Sequence, residues 1–359
     1  MMSSQPAVAL VSGFWGQNIG NAFFNIGGKH VLDTVFGEDR VQFIQDQPGY
    51  WTFNNQKKGN PDRDVELLKH LDVEWIVLQG PMLTTTFRPI WEETFRTLRD
   101  RGTRIMLLSA ALFRYTDEEI EAARRFLREY PPHVVSTRDP ETYRIIRDCC
   151  ECVHDGIDSA FFVPDVYPPF ALDLPPFVTC TFDRFPEPRF TVKKNQNDQS
   201  VPGENAFDAL GHRWSMDFPS LQMFCSKLGQ WQAYIGARLD FRHLPEKLGP
   251  YAVIRPEHRC NPRLAWKIYS QPNGLTSDEP FTYFTLYGNT ELTLSDRVHA
   301  CVATLAYGHP AMLFTPSPRA RLFERFELGN IREEPVTLDA GLLEAEKQAE
   351  LDFLRDAVT

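Results

Sequence analysis

Ser295, Arg297 and His299, within LTLSDRVHACVATLAYGHPAMLF (292–314), have the types and spacing for anion chemistry. A buried apolar run leads into Ser295, a natural helix N-cap, and Arg297 and His299 follow in the predicted first turn. That turn offers unpaired N–H groups and partial positive charge. Arginine adds a two-pronged donor for phosphate or carboxylate. Strand, cap, arginine and histidine together make an anion site at the carboxyl end of a sheet strand. The same spacing also fits a surface ion pair for Arg297 and a packed helical His299.

HVVSTRDPETYRII (133–146) repeats the logic. A predicted strand ends at Thr137, Arg138 stands at its carboxyl end, and Asp139-Pro140-Glu141 opens a helix. A ligand in a cleft, or an ion pair with Asp139 or Glu141, would satisfy Arg138. In SGFWGQNIGNAFFNIGG (12–28), Gly13, Gly16 and Gly20 make a flexible strand-to-helix turn. Asn18 and Asn21 are its polar handles; it is neither GxGxxG nor a phosphate loop with its lysine. In HDGIDSAFFVP (154–164), Asp155 or Asp158 follows a short strand, as a ligand or as a turn-former. Arg255, His258 and Arg259 in RPEHRCNPR (255–263) add to a donor or acceptor site, or belong to a solvated loop.

The elements that must position these residues alternate. Predicted strands are Ala7 to Val11, Trp75 to Leu78, Arg104 to Leu108 and His133 to Thr137. Predicted helices are Asn21 to Phe36, Ile90 to Arg101 and Thr116 to Tyr130. Thr116 caps the last of these, three acidic residues fill its first turn, and Pro131-Pro132 stops it. Such alternation implies parallel βαβ units. After about Pro164 the pattern fades: 163–176 reads as a crossing linker and 185–205 as a polar loop or insertion. Regularity returns with Ser220 to Leu228 (helix), Tyr251 to Ile254 (strand), Phe281 to Leu286 (strand or buried run), Leu292 to Leu294 (strand), Asp296 to Tyr307 (helix), Ala311 to Phe314 (strand) and Leu338 to Ala357 (amphipathic helix). The expectation is α/β, two Rossmann-like domains facing across a cleft. Residues 1–164 form the N-terminal domain, 165–335 the C-terminal domain and 336–359 a closing helix. The 359 residues suit two domains at about 150 residues each.

With 38 Lys and Arg against 48 Asp and Glu, the chain carries −10. That argues against nucleic acid as a partner, though not against a small anion held by a few arginines. Seven cysteines without a pairing framework suggest reduced thiols. Cys149, Cys150 and Cys152 have no second pair with ligand spacing, so no metal is expected. The longest apolar run, near Ile105 to Phe113, is far short of the roughly 20 residues of a membrane span. No basic cluster or apolar leader opens the chain. The expected location is the cytoplasm.

These segments resemble the polysaccharide pyruvyl transferase family. Ser295-Asp296-Arg297-Val298-His299, with Gly308-His309-Pro310 downstream, is similar to its Ser-x-Arg-x-His signature. Val134 to Asp139 is similar to its arginine motif. Asn18-Ile19-Gly20-Asn21 resembles its Asn-x-Gly-Asp turn, with Asn21 where aspartate is usual. Gln79-Gly80-Pro81 stands in place of a GG turn, and Asp158-Ser159-Ala160-Phe161 is similar to an Asp-Pro-Ala-Phe element. The resemblance covers roughly residues 8 to 315 and leaves 181–230 unmatched. It implies a fold like the GT-B glycosyltransferases and transfer of the enolpyruvyl group of phosphoenolpyruvate onto two sugar hydroxyls, giving a pyruvate ketal and phosphate. His299, Arg297 and Arg138 would then be catalytic. Ser295, Asn18, Asn21, Gly20, Asp158 and Arg255 would bind substrate. Phosphoenolpyruvate would be the co-substrate, with no other cofactor. The acceptor would be a sugar or a lipid-linked or nucleotide-linked glycan, met in solution or at a membrane surface. Two rival readings are a GT-B glycosyltransferase with a nucleotide-sugar donor and a non-catalytic partner protein that keeps the fold.

Overall fold

The apolar runs of the first half are continuous rather than alternating. Strands of that kind are buried on both faces, as in parallel sheets covered by helices. The computed structural model describes residues 7–13, 15, 18–45, 67–183, 186–194, 205–220, 235, 243–259 and 273–359. Its first sheet holds β1 (Val8–Ser12), β2 (Val41–Gln45), β3 (Trp75–Gln79), β4 (Arg104–Ala110), β5 (Val134–Thr137) and β6 (Val153–Asp155). The order is β2-β1-β3-β4-β5-β6, and every pairing is parallel. The order reverses between β1 and β3, where open α/β sheets bind ligands beyond the strands' carboxyl ends.

The helices between these strands are α1 (Gly20–Phe36), α2 (Phe87–Asp100), α3 (Asp117–Glu129) and α4 (Pro140–Ile146). The Thr116 side chain accepts the Glu119 N–H at 3.3 Å, and the acidic first turn faces the positive end of α3. Asp139 caps α4 by accepting the Thr142 N–H at 2.7 Å, with Pro140 next. Both starts match their sequence signals.

A 3-10 turn (Ser159–Phe162) and α5 (Val163–Val166) then lead along 167–176 to the second sheet. That sheet contains β7 (Phe177–Thr181), β11 (Lys247–Leu248), β12 (Tyr251–Pro256), β13 (Gly274–Leu275), β14 (Leu292–Ser295) and β15 (Ala311–Leu313). The order is β11-β12-β7-β14-β15, with β13 on β12, and only β11 is antiparallel. Its helices are α6 (Phe281–Tyr287) and α7 (Val298–Ala306), and α8 (Ala340–Val358) closes the chain.

Three expectations change. The buried run from Phe281 is helix α6, because its apolar residues Tyr283, Phe284 and Tyr287 recur at helical spacing toward the core. Part of the 185–205 loop is strand β8 (Arg189–Lys194), which forms an antiparallel sheet with the following β9 (Ala206–Ala209) and β10 (His212–Asp217). Its Phe190, Phe207 and Trp214 bury against Val178, Val253 and Leu294 of the second sheet. The helix starts at Val298, later than expected, with Arg297 rather than Ser295 at the N-cap. The helix expected from Ser220 to Leu228 lies outside the described residues beyond Ser220.

The core crosses between the sheets. Phe23 of α1 packs at 4.9 Å from Phe284 and 6.1 Å from Tyr287 (ring centroids), within one cluster that runs from Val8 to Leu354. Helix α8 returns to the first sheet, where the Ser136 hydroxyl donates to Glu350 at 2.9 Å and Lys347 pairs with Asp165 at 2.6 Å.

Candidate active site

Two helix N-termini meet between the sheets. β1 runs out at Ser12, and the chain turns into α1 at Gly20. Asn25, fully buried in α1, shapes that turn: its Oδ1 accepts the Gly13 N–H at 3.2 Å and the Trp15 indole N–H at 3.0 Å. From the second sheet, β14 ends at Ser295 and α7 starts three residues later. The Ile19 N–H donates to the carbonyl of His258, just past β12, at 2.9 Å and ties the start of α1 to the second sheet. They lie so close that a Cβ on Gly20 would stand 3.2 Å from His299 Nδ1. Only glycine spares that contact.

Between these ends lies a small cavity, partly open to solvent. Asn18, Asn21, Arg138, Arg297 and His299 all line it, so residues 281 positions apart (299 − 18) share one space. Arg297 is 7% exposed; its guanidinium donates to Asp183 Oδ1 at 3.2 Å and to Asn18 Oδ1. Asn18 in turn donates to Asn21 Oδ1 at 2.9 Å. The surface ion pair that Arg297 could have formed is thus replaced by a buried bridge between domains.

Arg138 resolves its alternatives too. Its partner is Asp158, at 3.0 Å, with both side chains almost fully buried. Asp139 instead accepts from Tyr115 and Thr142, and Glu141 pairs with Arg144. Asp158 also faces His299 Nε2 at 3.5 Å, outside hydrogen-bond geometry. Burial lowers the His299 pKa below its ordinary value, opposed by Asp158 and reinforced by Arg138 and Arg319. Burial pushes Asp158 the other way, but His299, Arg138 and the Ala160 N–H outweigh it and hold the carboxyl below the usual range. The cavity therefore presents fixed positive charge and a neutral imidazole.

Ser295 does not line the cavity. It supports Arg297 from below, accepting its N–H at 2.9 Å and donating to the Thr181 carbonyl at 3.1 Å. Gly20 and Asp158 likewise stand behind the lining. Arg255 is elsewhere: it is 1% exposed and grips Glu187 through two 2.8 Å hydrogen bonds, so it serves the interior of the second domain rather than the cavity. His258 is buried, with Nε2 2.6 Å from the Tyr287 hydroxyl.

Arg319 and Asp296 line the cavity and were not singled out by sequence. Arg319 follows β15 in a 3-10 segment (Pro318–Phe326) and lies over the Phe113 ring at 5.0 Å. An arginine just past the end of a strand neighbouring β14 was its available signal. Asp296 occupies the open position of Ser-x-Arg-x-His. Phe24, 5.3 Å from the His299 ring, and Pro81 complete the apolar side. Among the described residues, no group of three or more His, Cys, Asp or Glu is placed to hold a metal ion. No helix among them is long and apolar enough to cross a membrane.

Among curated proteins, none matches this chain. Similar solved structures include a putative UDP-N-acetylglucosamine 2-epimerase from Listeria monocytogenes (9% identity, 99% of this chain and 91% of that chain, TM-score 0.48). Another is the UDP-GlcNAc 2-epimerase from Neisseria meningitidis bound to UDP-GlcNAc (10%, 99% and 94%, TM-score 0.46). These likenesses are weak, and the fold assignment rests on the strand orders above. The profile of the polysaccharide pyruvyl transferase family matches residues 18–318, from the Asn18 turn through β15 and beyond. The chain belongs to the polysaccharide pyruvyl transferase family and is a transferase.

Proposed function

We propose that the protein transfers the enolpyruvyl group of phosphoenolpyruvate onto two hydroxyls of a glycan or glycan precursor, forming a pyruvate ketal and releasing phosphate. One observation carries this reading: Arg138, Arg297, Arg319 and His299 line a single cavity where two helix N-termini converge. Phosphoenolpyruvate bears a phosphate and a carboxylate, and guanidinium forks match both. Helix N-termini add N–H groups and partial positive charge for the phosphate.

Arg297 is held by Asn18 and Asp183. Donor oxygens take the place of Asn18, which leaves Asn18 and Asn21 to orient an acceptor hydroxyl. Burial lowers the His299 pKa below its ordinary value. An anionic donor beside it reverses that shift, so it binds a proton when the donor arrives. That proton goes to the methylene carbon as the hydroxyl attacks its neighbour. The arginines stabilise the departing phosphate. No metal is called for, because guanidinium groups supply the charge. Phosphoenolpyruvate is an intracellular metabolite, so the reaction belongs in the cytoplasm, at the membrane surface where the acceptor is lipid-linked.

The test is thermal stability with phosphoenolpyruvate and, separately, with nucleotide-sugars. A ligand that binds only the native state raises stability by mass action. We expect a phosphoenolpyruvate shift that is lost in Arg297→Ala. A shift with nucleotide-sugars alone would replace this reading with a glycosyltransferase.

A further inference from the structure

We propose that Asp296 is the base that takes the proton from the attacking acceptor hydroxyl. This rests on the pyruvyl transfer reading above. A neutral hydroxyl that adds to the enol carbon must lose its proton, and that proton needs an acceptor at the cavity. Asn18 and Asn21 line the cavity, and an amide does not take up a proton at neutral pH. The three lining arginines remain charged throughout. His299 is the proton donor. Among the described residues lining the cavity, Asp296 supplies the carboxylate.

Its placement suits the role. Asp296 is 1% exposed and sits at the junction of β14 and α7. Its N–H donates to the Thr181 carbonyl at 3.0 Å, which pins the backbone to the sheet. Its Oδ1 accepts the Asp183 N–H at 3.3 Å, which orients the carboxylate. Two other carboxylates lie nearby but do not line the cavity. Asp158 is locked behind the lining with Arg138 and His299, and Asp183 pairs with Arg297 and Arg259.

The step balances. The acceptor O–H bond breaks, and its proton passes to Asp296. The oxygen bonds to the enol carbon. The former C=C pair takes a proton from His299 and becomes the C–H bond of a methyl group. Attack by the second hydroxyl displaces phosphate, which leaves with the C–O pair and that hydroxyl's proton. Asp296 then returns its proton to His299 through solvent.

The experiment uses the full chain with phosphoenolpyruvate and measures phosphate release with a panel of methyl hexosides and with water as the stand-in nucleophile. Asp296→Asn should keep or enlarge the phosphoenolpyruvate thermal shift, since it removes a negative charge from an anion site. Its phosphate release should fall by about 10²- to 10⁴-fold. Asp296→Glu, which keeps a carboxylate, should retain more activity than Asp296→Asn despite its extra methylene. Adding Asn21→Asp to Asp296→Asn places a carboxylate across the cavity and should restore part of the rate. Asp296→Asn turning over within about threefold of wild type would overturn the assignment while leaving the pyruvyl transfer reading intact. Loss of activity together with the thermal shift would make Asp296 structural and overturn it too. No phosphoenolpyruvate shift in the wild type would instead sink the donor reading itself.

Discussion

At the scale of single residues, the Arg138–Asp158–His299 arrangement sets the electrostatics of the cavity. Asp158 raises the His299 pKa and holds Arg138, while burial lowers the imidazole. Asp158→Asn removes both influences. We expect the His299 pKa, followed by NMR of the imidazole, to lie below 6.5 in the wild type and to fall further in Asp158→Asn. Phosphoenolpyruvate should raise it in the wild type. The variant should also lose about 3–5 kcal/mol of stability, because an unpaired guanidinium is left buried; chemical denaturation would measure this. A His299 pKa unmoved by Asp158→Asn would mean that the 3.5 Å contact does not couple the two groups.

At the scale of elements, close approach places the catalytic ends. A Cβ on Gly27 would lie 1.8 Å from the Ser159 carbonyl, so α1 packs directly on the turn that follows Asp158. Gly27→Ala must push α1 away and should cost about 1–3 kcal/mol or more, with a weaker phosphoenolpyruvate shift, because Asn21 rides on that helix and Asn18 just precedes it. An unchanged melting temperature would show that the contact relaxes freely. Gln79, where the family resemblance leads one to expect glycine, fills the space beside Gly28 and accepts from Asn25 at 2.9 Å. The departure therefore serves the packing of α1.

Helix α8 carries a second device, Glu350, which burial raises to about 7 despite its hydrogen bond from Ser136. His154 lies 3.6 Å away, and Arg325, paired with Asp155 and Glu346, bears on the same cluster. A carboxyl raised on folding contributes stability that is full below its unfolded pKa of 4.5 and is lost as pH rises through about 7. Glu350→Gln should shrink the difference in melting temperature between pH 5 and pH 8. An unaltered pH dependence would show that Glu350 titrates as an exposed carboxyl.

For the whole molecule, the shared core decides how the domains behave. Phe23 of the first domain is fully buried among Phe284, Tyr287 and His258 of the second. Domains joined through an apolar core unfold together, whereas separate cores permit separate transitions. We expect a single calorimetric transition for the wild type. Phe23→Ala should lose about 3–5 kcal/mol and broaden or split that transition, since it opens a cavity between the domains. Two well-resolved transitions in the wild type would contradict this. The same interface seats the Asn18–Arg297 bridge, so weakened docking should also weaken donor binding.

The local start and stop signals were legible in the sequence because they act within a few residues. Thr116 and Asp139 cap the helices they were expected to cap, and the continuous apolar runs of β3, β4 and β5 are parallel strands. Arg138, Arg297 and His299 were legible as strand-end and helix-start residues, and the family followed from their motifs. Partners distant in sequence were not legible. Spacing left Arg138 open to Asp139, and only the fold set Asp158 against it, because Tyr115 and Thr142 occupy Asp139. Arg255 looked like a site residue until Glu187, 68 positions earlier, claimed its guanidinium. Arg319 offered only its place just past a strand as a signal, and it reaches the cavity through the turn after β15. A charged side chain in a low-dielectric interior takes its state from whatever lies within a few ångströms, and chain distance does not reveal that neighbour. Sequence thus determined which elements form and which residues stand at their ends, while the tertiary structure decided which of those ends meet.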